Sequence, residues 1–137
     1  MIDIKKLQTD LALHGKIAQH GLGFNVEAIS GAEVLRIEVE DREELPIFLS
    51  VSEEQVLCIA YLFKMQEIKP AKIAEMNDAM LSANVSMPLS SFAKIGEQYV
   101  VYGALSTASS LLEIVHEIET LSSNSIEAIN AMKDYLV

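Results

Sequence analysis

Val34-Leu35-Arg36-Ile37-Glu38-Val39-Glu40 decides the fold class. Leu35, Ile37 and Val39 alternate with Val34, Arg36, Glu38 and Glu40, which is the period of a strand with one dry and one wet face. Upstream, Phe24, Val26 and Ala28 alternate with Asn25, Glu27 and Ile29. Ser30-Gly31 between the two runs is a turn signal, so the pair reads as a hairpin. Downstream, Asp41-Arg42-Glu43-Glu44 is a polar turn, and Pro46–Val51 is a third strand whose proline suits a strand start or an edge. Ser52-Glu53-Glu54 turns the chain again. Gln55–Phe63 is a fourth strand, apolar enough to be central and covered on most of both faces.

Outside this block the spacing is helical. Ile2–His14 carries Ile4, Leu7 and Leu11 on one face, with Leu13 a further candidate for it, Asp3 at its start and Gly15 placed to end it. Lys16–Gly23 is a connector. Pro70–Ala83 is a second helix with the stripe Ile73, Met76, Ala79 and Met80, its proline suited to the first turn. Ser82–Ser91 is a loop containing Met87-Pro88-Leu89. Two strands follow, Phe92–Ile95 and Gln98–Ala104, joined at Gly96-Glu97. The last helix starts near Ser109, and Ser110 with Glu113 fits a capping box. Its stripe runs through Leu111, Ile114, Val115, Ile118 and Leu121, then resumes at Ile126, Ile129, Met132 and Leu136. Ser122-Ser123-Asn124-Ser125 between them is expected to break or bend it. The order α-β-β-β-β-α-β-β-α predicts a single α+β domain over residues 1–137, a mostly antiparallel sheet packed against helices.

Composition narrows the function. Half of the 137 residues are hydrophobic, enough for one folded core. Ten Lys and Arg face 20 Asp and Glu, a net charge of -10 divided evenly between the two halves of the chain. Phosphate contacts need dense positive charge, so no nucleic-acid partner is expected. A single cysteine excludes an internal disulfide and an all-cysteine zinc site within one chain. The first residues mix charge with apolar side chains unlike a secretory signal, and no 18-residue apolar run occurs. The expected compartment is the cytoplasm, with no direct membrane insertion.

No catalytic constellation stands out. Neither GxxxxGK[ST] nor GxGxxG occurs, and GxSxG is missing around Ser90-Ser91. Those serines are expected to bond backbone groups before Phe92. His14 and His20 flank a glycine-containing loop. His116 with Glu113 and Glu117 forms a helical cluster that, with a distant third ligand, could hold a metal, but HExxH is absent. The plainer reading leaves His116 at the border of the stripe, and no metal or cofactor is expected. Cys58, within an apolar strand, reads as a core residue rather than a nucleophile. Glu38, Glu40, Asp41, Glu43 and Glu44 read as surface charge or as an acidic patch for a basic partner. Met76, Met80 and Met87 read as core or as an adaptable apolar contact.

Four blocks carry a resemblance: Glu44–Ser50 followed by Glu54-Gln55, Met87–Phe92, Tyr102–Ser106, and Glu117–Leu121 with Asn124. In this order and spacing the chain resembles the YjfI family of small bacterial proteins, over nearly its whole length. The resemblance implies no activity, cofactor or catalytic residue. It implies a context beside proteins similar to phage-shock protein A, which act at the inner membrane under envelope stress. The element order is also similar to the type III secretion chaperone fold, whose members are small, acidic and usually dimeric.

These readings converge on a non-enzymatic protein-binding or chaperone-like adaptor, linked to envelope stress, that acts through a sheet face or an exposed apolar strip. A homodimer is expected, because the last stripe looks longer than one small sheet can cover. The alternative is a small-ligand or metal-assisted enzyme with a pocket near the last helix.

Overall fold

Alternation and helical spacing are realised as nine main elements in the computed structural model, which describes residues 2–17 and 22–137. Helix α1 (Ile4–Ile17) is followed by strands β1 (Phe24–Ala28), β2 (Val34–Val39), β3 (Ile47–Val51) and β4 (Val56–Lys64). Then come α2 (Ile73–Ala83), β5 (Ser91–Ile95), β6 (Gln98–Leu105) and α3 (Leu111–Met132). The expected element order holds. The strands form one antiparallel sheet in the order β1-β2-β3-β4-β6-β5.

Register fixes what each face carries. Leu35 lies opposite Leu49, Leu49 opposite Cys58, and Cys58 opposite Gly103, so these residues share one face. That face is the core. Val39, Ile47, Val56, Cys58 and Ala60 are fully buried there against Leu7 and Leu11 of α1 and Ile114, Ile118 and Leu121 of α3. A second cluster joins Met76 and Met80 of α2 to Phe63, Ile68, Tyr99 and Met132.

Several local expectations are corrected. α1 passes through Gly15 and ends at Ile17. His20 and the centre of the connector lie outside the described residues. The serine stretch does not break α3, because Ser125 Oγ donates to the Ser122 carbonyl at 2.8 Å and satisfies itself on its own helix. The helix stops at Met132, and a single 3₁₀ turn, Lys133–Tyr135, leads to Leu136, which pairs with Ile68. Of the expected α3 stripe, Ile114, Val115, Ile118, Leu121 and Met132 are buried, while Leu111, Ile126, Ile129 and Leu136 are half-buried. The capping box at its start is present, with Glu113 N–H donating to Ser110 Oγ at 3.2 Å and Ser110 N–H donating to Glu113 Oε1 at 3.1 Å.

Candidate functional site

The second face of the sheet follows from the same register. Phe48 lies opposite Ile59 and Ile59 opposite Tyr102; beside that row Tyr61 lies opposite Val100, and Leu57 opposite Ala104. An antiparallel sheet with one wet face normally alternates to polar residues there. Here the alternation fails across β3, β4 and β6, and no helix covers these positions among the described residues. Phe48, Leu57, Ile59 and Tyr102 are half-buried only by their neighbours, and Tyr61 is 44% exposed. The Phe48 and Tyr61 rings meet edge to face at 5.3 Å. The expectation that β4 is central and covered on most of both faces holds for its position and its core side; on the other side Leu57 and Ile59 are half-buried and Tyr61 is exposed. Towards β1 and β2 the same face turns charged, with Asn25, Glu27, Arg36 and Glu38, and Arg36 Nη1 donates to Glu38 Oε1 at 2.6 Å.

The residues singled out from sequence fall in two places. Glu38 is on this open face. Glu40 Oε2 accepts from the Gly23 N–H at 3.0 Å, tying down the entry to β1. Asp41 takes a positive φ of 68° in the β2–β3 turn, and its N–H donates to Glu43 Oε1. Glu43 and Glu44 are exposed there. Arg42 leaves the same turn to reach α3, donating to Ser123 Oγ at 3.1 Å. The acidic residues thus border one end of the open face. Met76 and Met80 belong to the second core cluster, and Met87 is half-buried against the first. On α2 and the segment after it, Leu81, Val85 and Leu89 are exposed.

Glu113, His116 and Glu117 do not converge. The Glu113 carboxylate is engaged at the helix N-cap, which holds it below its ordinary range through hydrogen bonds from Ser110. His116 is exposed, and Glu117 points inward. His14 stacks against Phe24 at 6.4 Å.

Glu117 entered from sequence only as a possible metal ligand, and its burial in the core is what sequence reasoning missed. Glu117 is 3% exposed on the core side of α3, and its Oε1 has no hydrogen-bond partner among the described residues. The carboxyl lies over Gly103: a Cβ at that position would overlap Oε1, and would meet Glu117 Cδ at 2.8 Å and the Leu89 carbonyl oxygen at 3.1 Å. Leu89 is the centre of a tight turn, with φ of 62° and the Ser90 N–H donating to the Pro88 carbonyl at 2.8 Å. That pattern is the rare, strained hand of γ-turn. Two helical turns beyond Glu117, Asn124 Nδ2 donates to the Pro88 carbonyl at 2.8 Å and to Ser90 Oγ at 2.9 Å. Ser90 therefore serves a side chain of α3, where backbone bonding was expected. Burial pushes the Glu117 carboxyl above the ordinary carboxylate range, and His116 partly opposes this. Cys58, opposite Gly103, is fully buried, and its thiol is pushed up to about 12, first by burial and then by Glu117. Two signals were available in sequence: an acid three residues from Ile114 inside the apolar stripe, and a glycine inside a strand.

A family model described as "Uncharacterized protein conserved in bacteria (DUF2170)" matches residues 1–136. The chain belongs to this family. It is 28% identical over 115 residues to the Escherichia coli K12 protein "Uncharacterized protein YjfI", spanning 81% of this chain and 85% of that protein, and equally to its counterpart in E. coli O157:H7. The sequence resemblance to the YjfI family therefore holds. In this DUF2170 member, three of the four blocks that carry the resemblance meet at the Glu117 seam: Pro88 to Ser90, Gly103, and Glu117 with Asn124. Among solved structures, E. coli YbjN, described provisionally as a transcription regulator, superposes with a TM-score of 0.71 over 98% of this chain and 94% of its own. At 12% identity that likeness concerns the fold, and it agrees with the α+β architecture expected from the element order.

Proposed function

We propose that this DUF2170 protein is a non-enzymatic, cytoplasmic binding or adaptor protein that engages another protein through its open sheet face. The observation that carries the reading is the apolar row of Phe48, Ile59 and Tyr102, flanked by Leu57 and Tyr61, on a face no described helix covers. Apolar surface of this kind marks an interaction site when it is contiguous. The charged half of the face and the acidic turn Glu40–Glu44 favour a partner segment with apolar anchors followed by Lys or Arg. Acidic surroundings steer such a segment into place and repel acidic competitors. The envelope-stress context and a partner similar to phage-shock protein A belong to this proposal. So does a homodimer, for which light scattering at several concentrations is the test.

The binding test places a photo-crosslinking amino acid at Tyr61 and, in a control, at Leu112, which is 70% exposed on the outer side of α3. A stoichiometric partner captured from cell lysate through position 61, missed through position 112 and lost in Ile59→Glu with the fold intact, supports the reading. Equal capture from both positions, or capture indifferent to Ile59→Glu, overturns it.

A further inference from the structure

We infer that Glu117 is a proton-operated latch: protonated, its carboxyl closes the seam between α3 and the Pro88–Ser90 turn, and loss of the proton opens that seam. The inference rests on geometry at the core face and is independent of the open face.

Two oxygen acceptors crowd the space above Gly103, the Glu117 carboxyl and the Leu89 carbonyl, and no N–H or O–H donor serves Oε1 among the described residues. An ionised carboxylate there would be both unpaired and set against a carbonyl dipole, an arrangement that is costly when buried. A protonated carboxyl removes both costs, because its O–H can donate to the Leu89 carbonyl. The strained turn is thereby held from two sides, by Asn124 on Pro88 and Ser90 and by Glu117 on Leu89. Strain of this sort persists only while its surroundings over-determine it. Removing the proton replaces one of the two restraints by repulsion.

The charged and titratable groups around Glu117 are few. β4 contributes Cys58, whose thiol stays neutral across the accessible range. β6 contributes Gly103, and the 86–90 segment contributes no titratable side chain. On α3 itself, His116 is the neighbouring group and is exposed. Among the described residues no buried cation stands ready to neutralise the carboxylate, so opening the seam is the available response. An apolar groove of about 250 Å³, lined by Met87, Pro88, Phe92, Asn124, Ala128 and Met132, lies beside the turn, and opening the seam would move its wall.

Two measurements on the full chain test this. Carbon-detected NMR of labelled glutamate, between pH 4 and 9, reads the Glu117 carboxyl directly. A midpoint above those of the exposed glutamates is expected, and a midpoint among them overturns the proposal. Hydrogen exchange of the Ser90 and Phe92 amides, corrected for intrinsic rate, reads the seam. Protection is expected to fall about tenfold or more from pH 5 to pH 8 in the wild type, equivalent to about 1.4 kcal/mol of local stability, and to stay level in Glu117→Gln, which keeps a donor and cannot ionise. Constant protection in the wild type, or the same fall in Glu117→Gln, overturns the latch. Asn124→Ala is a second variant: it weakens the other restraint and is expected to make the fall steeper, while an unchanged slope counts against a shared seam.

Discussion

Gly103→Ala tests the seam most directly. In an ordinary strand the change would gain about 0.5–1 kcal/mol, because glycine costs that much relative to alanine. Here the added Cβ lands on the Glu117 carboxyl, with Cδ at 2.8 Å and the Leu89 carbonyl oxygen at 3.1 Å. Backbone on the Leu89 side cannot yield cheaply, so Glu117 must leave its site or α3 must lift from β6. Overpacking of this kind costs typically about 1–3 kcal/mol, and displacing a buried carboxyl places the cost in the upper half, leaving a net loss of about 2 kcal/mol. With an unfolding entropy of about 2.1 cal/mol/K per residue, a chain of this size should lose about 7 °C in Tm. Urea denaturation followed by circular dichroism, with a thermal scan beside it, reads both quantities. The double variant Gly103→Ala with Glu117→Ala should recover most of the loss, because the new methyl group fills the space the carboxyl vacates. The coupling between the two sites should therefore be about 2 kcal/mol. A single variant as stable as the wild type, or additive effects in the pair, would refute the packing argument.

The remaining expectations are simpler. Glu117 is an acid whose proton affinity is raised in the folded state, so the wild type should lose stability as pH rises from the ordinary glutamate value through the raised folded value. Glu117→Gln should lack that slope and match the wild type at pH 4 in a urea titration. Asn124→Ala strands the Pro88 carbonyl and the Ser90 hydroxyl and should cost about 2–3 kcal/mol by the same denaturation assay. Ser110→Ala removes the α3 cap and should cost about 1 kcal/mol. Cys58, fully buried with its thiol pushed up to about 12, should resist iodoacetamide in the native state and react on unfolding, as mass spectrometry would report.

Elements whose residues alternate or repeat strongly were legible one by one. The β1–β2 hairpin, the Ser110 cap and the α3 stripe each rest on neighbours within a few positions, and local spacing is what a sequence displays. Where a boundary moved, tertiary contact outweighed local preference. α1 runs past Gly15, and Leu136 leaves the helical stripe to pair with Ile68. The candidate sites were legible only in part. The acidic residues Glu38–Glu44 were located as a strand end and turn, and helical spacing separated Met76 in the core from Leu81, which is 71% exposed on the same helix, but it did not show which partner Met76 packs against.

By itself, the sequence determined the α+β class, the order of its elements, the helix cap, the acidic surface and the family. Each depends on composition or on residues close along the chain. The tertiary structure alone decided which face of β4 stays open, and that an acid from α3 rests on a glycine of β6 beside a strained turn. Which face a helix covers depends on how distant segments dock, and the ionisation of a buried carboxyl depends on which donors reach it. Neither depends on spacing within one segment, so neither could be read before the chain was folded.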